Sequence, residues 1–117
     1  MLYQIKGTHD NNNTVRYAAE VSGNNLDFLA TIHGENGLWT LDRLSNGRGF
    51  DGQRAIGLCQ FYPRYNAKII NDPRFTDYKF QVEKCWEKFK ANPSTFNAYT
   101  NGSYKENKKI FILQNPS

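Results

Sequence analysis

Long apolar runs are missing from this chain. No stretch approaches the roughly 18 consecutive apolar residues of a membrane-crossing helix, so membrane insertion is not expected. Residues 1–7, Met-Leu-Tyr-Gln-Ile-Lys-Gly, also lack the apolar segment of a secretory signal. Histidine is scarce: His9 and His33 stand isolated, no zinc-type spacing exists, and neither a metal nor another cofactor is expected. The two cysteines, Cys59 and Cys85, permit one disulfide but nothing in their context demands it. No internal repeat or separable linker divides the 117 residues. A single domain over 1–117 with one modest core is therefore expected.

What the chain does contain is aromatic and basic. Hydrophobic residues make up 38% and aromatics 15%, which predicts a core rich in Phe, Tyr and Trp. A net charge of +4 favours anionic partners, of which nucleic acid and bacterial wall polymer are the obvious classes. The cations fall in two local clusters, Lys84, Lys88, Lys90 and Lys105, Lys108, Lys109. None of the usual nucleic-acid modules is recognisable, so nucleic acid is not expected as partner. Lys84, Lys88 and Lys90 read as a solvated basic face, whose functional use would be general attraction to an anionic polymer.

Apolar spacing predicts a mainly α fold, a small bundle of short helices. A first helix is expected over about residues 14–21, with Asn13 as its cap and Ser22-Gly23 as its end. A second runs over 25–35, with Leu26, Leu29 and Ile32 facing the core. Residues 37–54 are rich in Gly, Asn, Asp and Arg and predict a loop or small hairpin. Residues 55–71 look partly helical, interrupted at Pro63. The clearest helix spans 77–90, with Val82, Cys85, Trp86 and Phe89 as its apolar stripe. Asn92-Pro93-Ser94 ends it, and Ser94 can cap a further helix through about Tyr99. The tail Ile110-Phe111-Ile112-Leu113 fits either a terminal strand or a packing segment.

Glu35 closes the second helix, just before Asn36-Gly37. A carboxylate at the end of a buried helix is only partly hydrated, which raises its pKa. A carboxylic acid held protonated near neutrality can protonate a leaving group, as glycoside chemistry requires. On the helix alone the same residues describe an ordinary solvated Glu. Two later segments shift the reading: Gly57-Leu58-Cys59-Gln60 and Asn97-Ala98-Tyr99-Thr100-Asn101-Gly102. An apolar helix ending in Glu, then G-L-x-Q, then A-Y-x-x-G, in that order, resembles the catalytic domain of soluble lytic transglycosylases, relatives of goose-type lysozymes. Residues 17–27 are similar to that family's first helix and turn, so the resemblance covers about residues 13 to 105.

The resemblance implies a lysozyme-like fold and cleavage of the β-1,4 bond between N-acetylmuramic acid and N-acetylglucosamine in peptidoglycan. It makes Glu35 the single catalytic group, first protonating the glycosidic oxygen and then removing the muramyl C6 hydroxyl proton to give a 1,6-anhydro product. Gln60 and Tyr99 become substrate-binding candidates. Asn36 stands where the family carries Ser, and Thr100 where it carries Asn, with Asn101 one place late; all three are further binding candidates. Cys59 replaces the family's Met, which makes Cys59 a buried apolar filler and buried free thiols the expectation for both cysteines, with a bridge as the alternative. Trp39, Phe61, Tyr62 and Tyr65 are candidates for stacking on sugar faces, or for the core.

Two other functions remain open. In a goose-type muramidase, a true hydrolase, Asp42 or Asp51 would serve as a second carboxylate positioning water. Alternatively the chain is an inactive wall-binding or structural module, against which stands the cost of keeping a buried acid without use. The expected partner is cell-wall peptidoglycan, met by a monomer. Without a signal segment, such an enzyme is expected to be phage-encoded or a domain of a larger exported protein.

Overall fold

A computed structural model describes residues 11–114, so His9 and residues 1–7 lie outside the described residues. The fold is mainly α. Among the described residues six helices follow one another: α1 (Asn12–Ser22), α2 (Leu26–Glu35), α3 (Pro63–Ile70), α4 (Tyr78–Ala91), α5 (Asn97–Thr100) and α6 (Tyr104–Gln114). None of them is long and apolar enough to cross a membrane.

α1 buries Val15, Ala18 and Ala19, a stripe at i, i+3 and i+4. It begins earlier than its apolar pattern suggests, so Asn13 sits inside the helix rather than capping it. Asn11 precedes the helix, but its amide donates to the Leu38 carbonyl at 2.7 Å instead of capping. Gly23 ends α1 in the left-handed region (φ 64°), its N–H reaching the Ala19 and Glu20 carbonyls. Two residues later the Asn25 side chain caps α2, accepting from the Phe28 N–H at 3.0 Å.

α2 is the central helix. Five successive residues, Phe28 to Ile32, are buried, so it is covered on all sides along this stretch. It packs against α6, α5 and α1, while α4 packs against α1. Gly34 lets α5 and α6 come close, since a Cβ there would lie 2.6 Å from the Ala98 Cβ and 2.9 Å from the Asn107 amide. α6 corrects the strand alternative for the tail. Its short apolar run cannot distinguish strand from helix by periodicity, and docking on α2 decides. Phe111 is wholly buried, edge-on to the rings of His33 and Trp39, and Lys108 pairs with Asp27 at 3.0 Å.

Between α2 and α3 the chain forms a long loop. Among the described residues no strand forms; two isolated antiparallel bridges, Leu44 with Ile56 and Ile56 with Phe61, are all that remains of a hairpin. Pro63 does not interrupt a helix but begins α3, where its missing N–H costs nothing. Ser94 does not cap α5 either. It lies inside a 3-10 turn, Pro93–Thr95, capped by the Asn92 side chain, which accepts from the Ser94 N–H at 3.1 Å.

The cysteines are bonded, which corrects the expectation of free thiols. Cys59 and Cys85 form a disulfide with their Cα atoms 6.0 Å apart. The loop reaches α4 because Gln81, one turn before Cys85, accepts from the Leu58 N–H at 2.8 Å. Closing a loop with a sequence separation of 26 stabilises by about 3.5 kcal/mol on chain-entropy grounds. Trp39 and Phe61 are fully buried core residues, so neither is free to stack on a sugar.

Candidate active site

Glu35 is the last residue of α2, and Asn36 turns the chain away at φ −153°, ψ 85°. The burial of Asn36 is complete, and its amide is fully committed. Nδ2 donates to the Thr40 carbonyl at 2.6 Å and to the Gly57 carbonyl at 3.3 Å, while Oδ1 accepts from the Thr40 N–H at 3.3 Å. Both amide hydrogens are thus used inside the protein, and Asn36 has none left for a substrate. It acts as a staple between the end of α2 and the Gly57-Leu58-Cys59-Gln60 turn.

Gly57 belongs to that turn by necessity. It adopts φ 96°, and a Cβ would sit 2.9 Å from both Gln81 Oε1 and the Phe75 ring. Gln81, fully buried in α4, holds the turn from below. Besides its bond from Leu58, it donates to the Leu41 carbonyl at 2.9 Å and the Phe75 carbonyl at 2.6 Å. Gln60 follows at φ 56°, with its amide donating to the Gly57 and Arg43 carbonyls at 3.0 and 3.1 Å. The Gln60 Oε1 accepts no hydrogen bond from the described residues.

These elements frame a groove of about 700 Å³. Glu35, Gln60 and Cys59 line it, with Phe50, Tyr62 and Tyr65 from the loop and α3, and Lys88 from α4. Glu35 is half-buried in this groove, and its Oε1 accepts from the Ala98 N–H at 2.9 Å. Burial pushes its carboxyl above the ordinary glutamate range. The Ala98 N–H, the Lys88 charge, the Asn97 N–H and the Arg43 charge pull the other way without cancelling that rise.

Glu35 is the only carboxylate lining the groove among the described residues. Asp51 lies in the loop outside the lining. It accepts a short hydrogen bond from the Tyr62 hydroxyl and another from the Gln53 N–H at 3.1 Å. The Tyr62 bond, followed by that of Gln53, holds its carboxyl below the ordinary aspartate range. Asp42 is exposed and likewise outside the lining.

The Ala-Tyr segment meets Glu35 through its backbone. Tyr99 does not line the groove; its ring stacks on Tyr104 at 4.7 Å and stands edge-on to Phe89 at 5.7 Å. Thr100 and Asn101 are also outside the lining. Thr100 donates to the Ser94 carbonyl at 2.6 Å, and Asn101 accepts from the Ser103 N–H at 2.9 Å. Glu35 and Gln60 are therefore brought together, whereas Asn36, Tyr99, Thr100 and Asn101 shape the frame around them.

Two groove residues escape a reading of the sequence. Phe50, 77% exposed, stacks on Tyr62 with ring centroids 6.3 Å apart and carries the Arg64 guanidinium over its face. Lys88 is half-buried, not part of a freely solvated face. Its spacing from Gln81 and Cys85 (i, i+4, i+7) puts it on the α4 face that meets the loop, a signal visible only once that face is known. His33 accepts from the Trp39 indole N–H at 3.1 Å, and burial lowers its pKa. No group of three or more metal-ligating side chains occurs among the described residues.

Comparison of the chain with family models, with curated proteins and with solved structures finds no match.

Proposed function

We propose that the protein is a lysozyme-like peptidoglycan lytic transglycosylase in which Glu35 acts alone, first as acid and then as base. The observation that carries this reading is the state of Glu35. Its carboxyl lines an open groove, burial raises its proton affinity, and no second carboxylate lines the groove among the described residues. The ordered resemblance of Glu35, Gly57-Leu58-Cys59-Gln60 and Ala98-Tyr99 to that enzyme family supplies the substrate class.

The chemistry follows from these groups. A protonated Glu35 donates to the glycosidic oxygen between the muramyl and glucosaminyl units, breaking the C1–O bond. The carboxylate left behind accepts the proton of the muramyl C6 hydroxyl as that oxygen bonds to C1. The nucleophile is already tethered to the reacting sugar, so proximity is supplied without a water-positioning side chain. The Ala98 N–H and the nearby Lys88 charge stabilise Glu35 in its anionic phase. Gln60 Oε1 offers an acceptor to a sugar hydroxyl or amide, and Tyr62 and Tyr65 offer ring faces. A disulfide suits work at the bacterial wall, since such bonds persist in oxidising surroundings.

The test is release of soluble fragments from purified wall by the protein and by Glu35→Gln. The protein solubilises wall, and the folded variant does not. A folded E35Q protein that releases fragments at the parent rate removes Glu35 from the reaction.

A further inference from the structure

Of the two cations that line the groove, Arg48 is exposed and Lys88 is half-buried, and Lys88 has no carboxylate within ion-pair distance among the described residues. The ion pairs among those residues engage Arg64, Arg74, Lys84, Lys108 and Lys109 instead. Its Nζ lies 5.1 Å from the ring centre of Phe96 and 5.7 Å from that of Phe61, both buried aromatics. Ring faces attract an ammonium but offer it no acceptor atom for its three N–H groups. The half-buried side chain opens on the groove, and from there a partner can reach it.

The nearest source of negative charge is Glu35, which favours the Lys88 cation, while burial disfavours it. In the proposed reaction, however, Glu35 must enter protonated and uncharged. At that stage the groove holds a partly desolvated ammonium and, among the described residues, no anion to match it. A neutral glycan would leave this mismatch in place. A glycan bearing carboxylates would remove it.

We infer that Lys88 forms a carboxylate-binding subsite in the groove, and that it selects glycan strands carrying anionic peptide stems over neutral ones. This rests on the glycan-binding reading proposed above. In peptide-substituted peptidoglycan the muramyl lactyl group is amide-linked, so the available anions are the carboxylates of the stem. Glycans of the chitin type have the same backbone linkage and no such group. An ammonium meeting a carboxylate makes a charge-assisted hydrogen bond, strong because both partners are ionised and partly shielded from water.

The experiment measures dissociation constants on the full chain carrying Glu35→Gln, so that no ligand is turned over. Three ligands are compared: a peptide-bearing tetrasaccharide of alternating N-acetylglucosamine and N-acetylmuramic acid, the same molecule with its carboxyls amidated, and the tetrasaccharide of chitin. The intact muropeptide binds about tenfold more tightly than its amidated form. Adding Lys88→Met, which keeps the aliphatic stem, abolishes that difference and leaves chitin affinity unchanged. Equal binding of intact and amidated muropeptide overturns the subsite while leaving the glycan groove standing, and this comparison needs no Lys88 variant to fold. A Lys88→Met variant that still prefers the intact form by tenfold also overturns it, by moving the anion elsewhere. Failure to bind any of the three ligands overturns the glycan reading and the subsite with it.

Discussion

Glu35 and Asp51 are both carboxylates near one groove, and their surroundings drive them in opposite directions. Glu35 closes a helix whose middle, Phe28 to Ile32, is buried, and lost hydration raises its proton affinity. Asp51 sits in an exposed loop, where the Tyr62 hydroxyl and the Gln53 N–H favour its charged form. One has its proton affinity raised by burial; the other is held in its charged form and already occupied by its own neighbours. Two carboxylates pushed apart in this way take different roles. In the proposed reaction the difference separates an acid from a loop fastener.

The largest expected effect breaks the comparison at Glu35. Glu35→Gln removes an acid and base together and lowers wall-degrading activity on the order of 10²-fold or more, whereas Asp51→Asn keeps activity near that of the parent. Clearing of wall suspensions measures both. Equal losses for the two variants would erase the distinction.

Next in size is the disulfide, which fastens the loop region to the helical one. Reduction, or Cys59→Ser with Cys85→Ser, destabilises the fold by about 3.5 kcal/mol, read from denaturant unfolding with and without reductant. An unchanged midpoint would mean that the loop is held without it.

The two carboxylates also give stability opposite dependences on pH. Folded Glu35 keeps its proton over a window in which the unfolded chain has already lost it. The native state then binds more protons, so stability falls as pH rises from the ordinary glutamate value to the raised one. Asp51 ionises more readily in the folded state, so its contribution is present above the ordinary aspartate value. That contribution is lost as pH falls toward the lowered value. Unfolding midpoints across pH should therefore show Glu35→Gln gaining on the parent as pH rises through its window. Asp51→Asn should lose to the parent at neutrality and draw level in acid. Parallel curves for both variants would contradict the assigned environments.

How much of this was legible in the sequence differs between the same two regions. α1, α2 and α4 carry apolar stripes of helical period, and helices form there within a residue or two of the expected ends. Glu35 stands out in sequence at the end of an apolar helix before Asn36-Gly37, whereas Gln60 becomes a candidate only through the family resemblance of Gly57-Leu58-Cys59-Gln60. The loop region was harder to read. Its order comes from contacts distant in sequence, such as Gln81 with Leu58 and Asn36 with Gly57, and no local pattern announces them. For the same reason the disulfide is only an alternative in the sequence, since spacing does not say which surfaces meet. Lys88 looked solvated because a lysine in a basic cluster gives no sign that its helix face will be covered. Tyr99 carries the motif in sequence, yet Glu35 receives the backbone N–H of Ala98 rather than the Tyr99 hydroxyl.

The central claim is that one carboxyl performs the whole reaction, and the mass of the product tests it most directly. Exhaustive digestion of purified wall should give muropeptides ending in 1,6-anhydromuramic acid, each one water lighter than the hydrolysed counterpart. Those products should disappear with Glu35→Gln and persist with Asp42→Asn and Asp51→Asn. Dominant reducing ends that vanish when Asp42 or Asp51 is replaced would contradict the account, because a second carboxylate would then be activating water.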